Sequence, residues 1–247
     1  MREEWYNLGR EELIELVSDS LHLIVLHYGI WFDETERQLG LDRAIEIDDA
    51  VWKRLLPVVL ERVSKRLQIP AKSGILADAT KEELVELLAD MAKSWLANDG
   101  IWFQVVESNF DHDMYQAKRI NDSCWFRFSY IEAKRIMGRL NLPKNGGIPA
   151  LKEALKYRQY ALINRQEILD VGENKIVFRM NECRVQLARS RASLPDYPCK
   201  SAGIVEYTRF AEGIDPRFKT SCIGCPPDPH PEEWYCAWEF VLQRQVS

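Results

Sequence analysis

Five of the six cysteines, Cys183, Cys199, Cys222, Cys225 and Cys236, fall in the last 65 residues, and Cys222 and Cys225 form a C-x2-C step followed directly by Pro226, Pro227 and Asp228. Thiols gathered in one segment of a 247-residue chain point to one chemical site. Four thiolates in a tetrahedron suit zinc, and a four-cysteine set followed by proline also suits an iron-sulfur cluster. His230 is a further candidate ligand. The remaining intervals, 15, 22 and 10 residues, do not make the two tight knuckles of a zinc ribbon. Two other readings therefore stay open: one reactive cysteine in a ligand pocket, or reduced thiols packed as small hydrophobes. Cys124, beside Trp125 in a helical pattern, is read as packed, and His22, His27 and His112 lack any ligating spacing.

The elements that must position this site divide into residues 1–145 and 146–247. The first region contains one unit twice, over about 10–70 and 81–143. REELIELVSDS from Arg10 matches KEELVELLADM from Lys81, and GIWF recurs at Gly29–Phe32 and Gly100–Phe103. After a two-residue shift Ala44, Asp49, Trp52, Arg54, Arg62 and Pro70 match Ala117, Asp122, Trp125, Arg127, Arg135 and Pro143. Identities number 20 in 60 aligned positions, 11 of 31 before the shift and 9 of 29 after it, against roughly one in fifteen by chance. Each copy reads as a helical hairpin, with first helices starting near Asn7 and Thr80 and second helices over 42–67 and 114–140. Pro57 is expected to kink the first copy's second helix. Two hairpins related by a pseudo-twofold axis make a four-helix array.

Gly29 and Gly100, inside helices, suggest close approach or a kink. Glu36 and Glu107 run in phase with apolar residues. Asp49 shares a stripe with Ile45, Trp52, Leu56 and Val59, and Asp122 shares a face with Trp125. Acids on core-facing stripes need partners. They either line a ligand pocket at the axis or tie helices to arginines such as Arg54 and Arg127.

Beyond Gly146 and Gly147, Pro149 opens a helix to about Ile163. KIVFRM and CRVQL alternate like strand, with Ile176, Phe178 and Met180 on one side and a bulge expected near Asn181. GIVEYTRFAEGI reads as helix. RFKTSCIG and EWYCAWEFVLQ read as strands, the last with Trp234, Cys236, Trp238 and Phe240 on one face. This predicts an antiparallel sheet with a helix inserted between strands, so the whole is α+β. Cys183 is then expected in the first strand, Cys199 at the helix entry, Cys222 and Cys225 in a turn and Cys236 in the last strand.

A formal charge of -5 and a pI near 5.6 give no net attraction to nucleic acid or an anionic membrane, favouring a small-molecule or protein partner. The charged start MREEWYNLGREEL lacks the apolar core of a secretory signal, and the longest apolar run is broken by His22, His27 and Gly29. The expectation is a cytosolic protein whose cysteines stay reduced. A homodimer is open, since exposed aromatics could mark its surface, but eight tryptophans equally suit a core.

The segments WLANDGIWF, CRVQLARSR, DYPCKSAGIVEY and CIGCPPDPHPEEWYCAWEF resemble an uncharacterised bacterial family labelled as cytosolic protein, over nearly the whole chain. CKSAGIVEYTRFAEGIDPRFKTSCIGC with YCAWEF also resembles the L-2-amino-thiazoline-4-carboxylate hydrolase-like family, aligning Cys199, Cys222 or Cys225 with Asp228, and Cys236. The closing cysteine strand is similar to the 4-vinyl reductase domain, a small-molecule-binding α/β module. The extra cysteine of CIGC and the Pro-Pro insertion depart from the hydrolase pattern.

The reading is a cytosolic small-molecule-binding protein that holds a metal, most simply zinc, through some four of the five cysteines, with Arg184 and Arg189 anchoring an acidic ligand. The alternatives are a hydrolase of a cyclic C–N bond, using a thiolate or metal-bound water with Asp228 or His230 moving protons, and a sensory or interaction module without turnover.

Overall fold

The computed structural model describes residues 3–66, 79–108 and 114–244. Pro70, Phe110 and His112 lie outside the described residues, as do the side chains from Val59 to Arg66. Two compact units divide at Cys124/Trp125, so the second half of the long fifth helix packs with the C-terminal residues.

The first unit is helical. After a single turn, α1 (Glu3–Tyr6), come α2 (Arg10–Leu39), α3 (Leu41–Arg66), α4 (Lys81–Ser108) and the start of α5 (Met114–Arg139). Helix α4 opens with a capping box in which the Thr80 N–H donates to Glu83 Oε2 at 2.8 Å and the Glu83 N–H donates to Thr80 Oγ1 at 3.2 Å. At the matching start of α2, Gly9 has no side-chain oxygen, and its N–H alone donates to Glu12 Oε2 at 2.6 Å. Gly40, at φ 86°, makes the turn into α3 in a conformation that disfavours other residues.

The duplication holds at the level of burial. Leu13, Val17, Ser20, Leu23, His27, Trp31 and Glu34 of α2 are buried, as are their counterparts Leu84, Leu88, Met91, Ser94, Asn98, Trp102 and Val105 in α4. In α3 the buried set is Ala44, Ile47, Val51 and Leu55, matched by Ala117, Ile120, Cys124 and Phe128. The stripe expected through Ile45 and Trp52 is therefore one step out of phase, since both side chains are about half exposed, at 48% and 50%. An added Cβ at Gly29 or Gly100 would meet nothing within 4 Å, so neither glycine marks a close approach. Helix α3 runs through Pro57 as one helix.

Among the described residues α2 is long and apolar enough to cross a bilayer by length and composition, despite its histidines. Here it packs on α3 and α4.

In the second unit, α6 (Gly147–Lys156) stops earlier than the expected Ile163, and a 3-10 turn over Gln159–Leu162 follows it. A four-stranded antiparallel sheet comes next, β1 (Arg165–Gly172), β2 (Lys175–Glu182), β3 (Phe218–Gly224) and β4 (Cys236–Leu242), in the order β1-β2-β4-β3. Between β2 and β3 run α7 (Arg184–Arg191) and α8 (Lys200–Ile214). The class is α+β, as expected. One expected strand is absent. CRVQL is not a strand: the chain leaves β2 at Glu182 and enters α7. The bulge expected near Asn181 is present: Arg165 pairs with Glu182 and the next residue, Gln166, with Met180, so Asn181 is the extra residue, and a second irregularity lies at Asp170/Gly172.

The core of this unit joins Ile176, Phe178 and Met180 of β2, Trp238 and Phe240 of β4, and Tyr207, Phe210 and Ile214 of α8. Arg158, 1% exposed, is buried with them. It pairs with Glu132 at 2.9 Å and Glu206 at 2.8 Å and lies 4.5 Å from the Phe210 ring. Two carboxylates and a ring face satisfy a charge that burial would otherwise make costly.

Candidate functional site

The thiols converge where α7, α8, the β3–β4 turn and the start of β4 meet. Cys199 precedes the first residue of α8. One turn later, Gly203 lets the helix settle onto the sheet: a Cβ there would stand 2.4 Å from Trp238 Cζ2. No other residue allows this approach without displacement. Tyr207, a turn further on, stacks on Trp238 at 4.8 Å. Cys236 begins β4 opposite Met180, and Cys222 pairs with Trp238 across β3 and β4.

Cys225 follows β3 and precedes the cis Pro226–Pro227 bond. Its turn is tied to α8 twice. The Lys200 N–H donates to the Pro226 carbonyl at 2.9 Å, and Lys200 Nζ bonds Asp228 Oδ2 at 2.7 Å. The first bond uses a helix-start N–H that has no partner inside its own helix.

Cys225 lies within hydrogen-bonding reach of both Cys199 and Cys236, and those contacts, then burial, push its thiol far above the ordinary range. Cys183, at the start of α7 rather than in a strand, is also pushed well up. Burial is the main cause, the Cys199 and Cys236 charges add to it, and the N–H groups of Gln186 and Val185 oppose it. Cys222 is raised by burial against the pull of Lys200, with Asp228 and Cys236 adding to the rise. Cys183, Cys199, Cys225 and Cys236 thus form one mutually interacting group, and Cys222 stands beside it next to Lys200 and Asp228.

A side chain without reactive chemistry brackets the group. Gln186, 1% exposed, donates to the Tyr197 carbonyl at 2.9 Å and to Cys199 Sγ at 3.1 Å, and accepts the Tyr197 N–H at 2.8 Å. The Cys199 thiol in turn donates to the Tyr197 carbonyl at 3.2 Å. Sequence patterning gives no sign of Gln186 or Lys200, because each is selected by neighbours far away in the chain.

The other expected site residues have structural partners or stand apart. His230 bonds Asp196 Oδ2 at 3.1 Å, and although burial alone would lower its pKa, the Pro231 carbonyl and Asp196 hold it above the ordinary value. Arg189 donates to the Pro195 carbonyl at 2.6 Å, and Arg184 is exposed. Of the four acids expected on helix faces, Glu36 and Asp49 are exposed, Glu107 is half-buried, and Asp122 faces Lys118 at 3.5 Å. Arg54 donates to Gln104 Oε1 at 2.5 Å instead of tying down a repeated acid. Cys124 is fully buried, as a packed thiol should be.

As a donor set, four sulfurs from four elements, with N–H groups aimed at two of them, fit a soft or borderline divalent cation. Among the described residues, no group of three or more His, Cys, Asp or Glu side chains is placed so that it could hold a metal ion. Cys225 meets Cys199 and Cys236 by side-chain hydrogen bonds.

One family model matches the chain in two spans, residues 6–80 and 77–242. The chain belongs to this family of unknown function (DUF6125). The first span takes in the first hairpin, and the second takes in the other hairpin with all five clustered cysteines. No curated protein and no solved structure matches. The comparisons support membership of an uncharacterised family and give no support to the thiazoline hydrolase or 4-vinyl reductase resemblance.

Proposed function

We propose that this is a cytosolic small-molecule-binding protein whose C-terminal unit is a metal module, most simply for zinc, with Cys183, Cys199, Cys225 and Cys236 as ligands. The observation that carries this reading is the position of Cys225, in reach of two thiols while a fourth interacts with the same two. Cys183 and Cys225, raised by burial and by the neighbouring thiols, resist ionisation as they stand; a divalent cation would reverse that balance, because a coordinating thiol is deprotonated outright. The Gln186 N–H directed at Cys199 sulfur is the kind of outer contact that orients a ligand and tunes its charge.

The hydrolase alternative needs a thiol activated by a depressed pKa or a metal-bound water. Cys183, Cys222 and Cys225 all move upward, which weighs against the thiolate route. Lys200 occupies Asp228, and Asp196 occupies His230. A four-thiolate set would leave no open position for a water, and Cys222 is the thiol beside the site rather than within it.

The test is elemental analysis and a visible spectrum on protein purified anaerobically without chelator, beside Cys225→Ser and Cys222→Ser. Near-stoichiometric zinc that is lost in Cys225→Ser and kept in Cys222→Ser is expected. Brown, iron-bearing protein would replace zinc with a cluster. Metal-free protein would overturn the proposal.

A further inference from the structure

The two hairpins do more than repeat: they meet as the halves of a symmetric dimer meet. In an isologous contact a residue on the axis touches its own counterpart, and a pair i·j recurs as j·i. Trp31 and Trp102 are counterparts, and their rings stack on each other at 6.0 Å and 12°. Tyr28 and Asp99 are counterparts as well. Trp31 Nε1 donates to Asp99 Oδ1 at 3.0 Å, and Trp102 meets Tyr28 at 5.2 Å, the same pair with its halves exchanged. Within each hairpin the corresponding link is also made. Tyr28 Oη donates to Asp48 Oδ1 at 2.6 Å, and Asn121 Nδ2 donates to Asp99 Oδ1 at 3.4 Å, Asp48 and Asn121 being counterparts.

One atom departs from this symmetry. The Trp102 indole N–H is buried and has no acceptor among the described residues, because a tyrosine stands where its counterpart finds a carboxylate. If α4 met a second α4, each Trp102 would face an Asp99 and both indoles would be satisfied. If α2 met a second α2, neither would be.

We infer that the face of α4 covered by α2 is a self-recognition surface, and that the first hairpin stands in the place of a second copy of the α4–α5 hairpin. The two spans of the family match agree with this: the second holds a hairpin with the cysteine region, and the first adds a hairpin alone. The chain is a fused pseudo-dimer with a single cysteine region, and the partner its axial surface is built to take is its own second hairpin. This inference is independent of the metal proposal.

The test is made in the full chain by writing the second copy's axial residues into the first. Tyr28→Asp alone places a carboxylate beside Asp48 and should lower the urea midpoint. Adding Asp48→Asn, which reproduces Asn121, should recover at least half of that drop. In the double variant, hydrogen exchange of the Trp102 indole N–H should slow at least tenfold, towards that of Trp31. A double variant no more stable than Tyr28→Asp alone, with Trp102 exchange unchanged, would overturn the inference. Trp31→Phe assigns the partner indole signal and removes the Asp99 bond while keeping a stacked ring.

Discussion

His27 carries a pH dependence that can be isolated from the rest of the molecule. The ring is fully buried, 5.7 Å from the Trp95 ring, with Nε2 3.5 Å from Asp99 Oδ1. Burial lowers its pKa from 6.5 to about 3, so the folded protein holds it neutral. Because the folded value lies below the unfolded one, this contribution is intact above about pH 6.5 and is lost as pH falls toward 3. Each pH unit in that window costs about 1.4 kcal/mol, which makes about 2 kcal/mol between pH 7 and 5 and about 4 kcal/mol by pH 3. That is a large share of the roughly 5–15 kcal/mol typical of a folded domain. The perturbation is His27→Asn, which places in the first copy the residue that Asn98 provides in the second. Urea unfolding by tryptophan fluorescence at pH 7, 6 and 5 gives stability for parent and variant, and other titrating groups cancel in the difference. The parent should lose about 2 kcal/mol more than the variant across that range. Parallel stability curves would refute the reasoning, since they would mean that His27 is protonated in the fold or already solvated.

Glu206 acts with the opposite sign. Burial raises its pKa from 4.5 to about 7 against the pull of Arg158, so its contribution is whole below about pH 4.5 and is lost as pH rises through 7. Relative to Glu206→Gln, the parent should lose about 3 kcal/mol over that interval, measured by the same urea titrations. Gly203→Ala should cost about 1–3 kcal/mol, because the new methyl overlaps Trp238. A thermal scan checks the stability, and metal content in the same sample shows whether the lifted helix has withdrawn Cys199.

The hairpins were legible because two copies reinforce one another and the apolar period of 3.6 survives in both. The phase of α3 was not. Ile45 and Trp52 are the large apolar side chains there, yet the smaller Ala44, Ile47 and Val51 face inward. At the counterpart of Trp52, Trp125 is buried and stacks on Tyr160, so the same residue type serves two environments. In the C-terminal unit, Ile176, Phe178 and Met180 announced β2 by strict alternation. Strand β1 pairs on one side only, and its half-exposed RQEILDVG gives no such pattern. Helix α7 buries only Gln186, and the spacing of Cys183, Val185 and Leu187 imitates a strand. The convergence of cysteines could be read from their clustering, whereas the polar brackets could not, since Gln186, Lys200 and Asp228 are ordinary surface types until the fold brings them to the thiols.

The double tie between Lys200 and the β3–β4 turn has a kinetic meaning. Cys199 and Cys225 sit on either side of that tie, one residue from each end of the Lys200–Pro226 bond, so helix start and turn move as one rigid jaw. A jaw already set has little freedom left to lose when something closes on it. On the proposed metal-site reading, Cys199 and Cys225 are the two ligands that this tie already holds together. Loosening the Lys200–Asp228 tie should slow the arrival of an occupant more than it hastens departure.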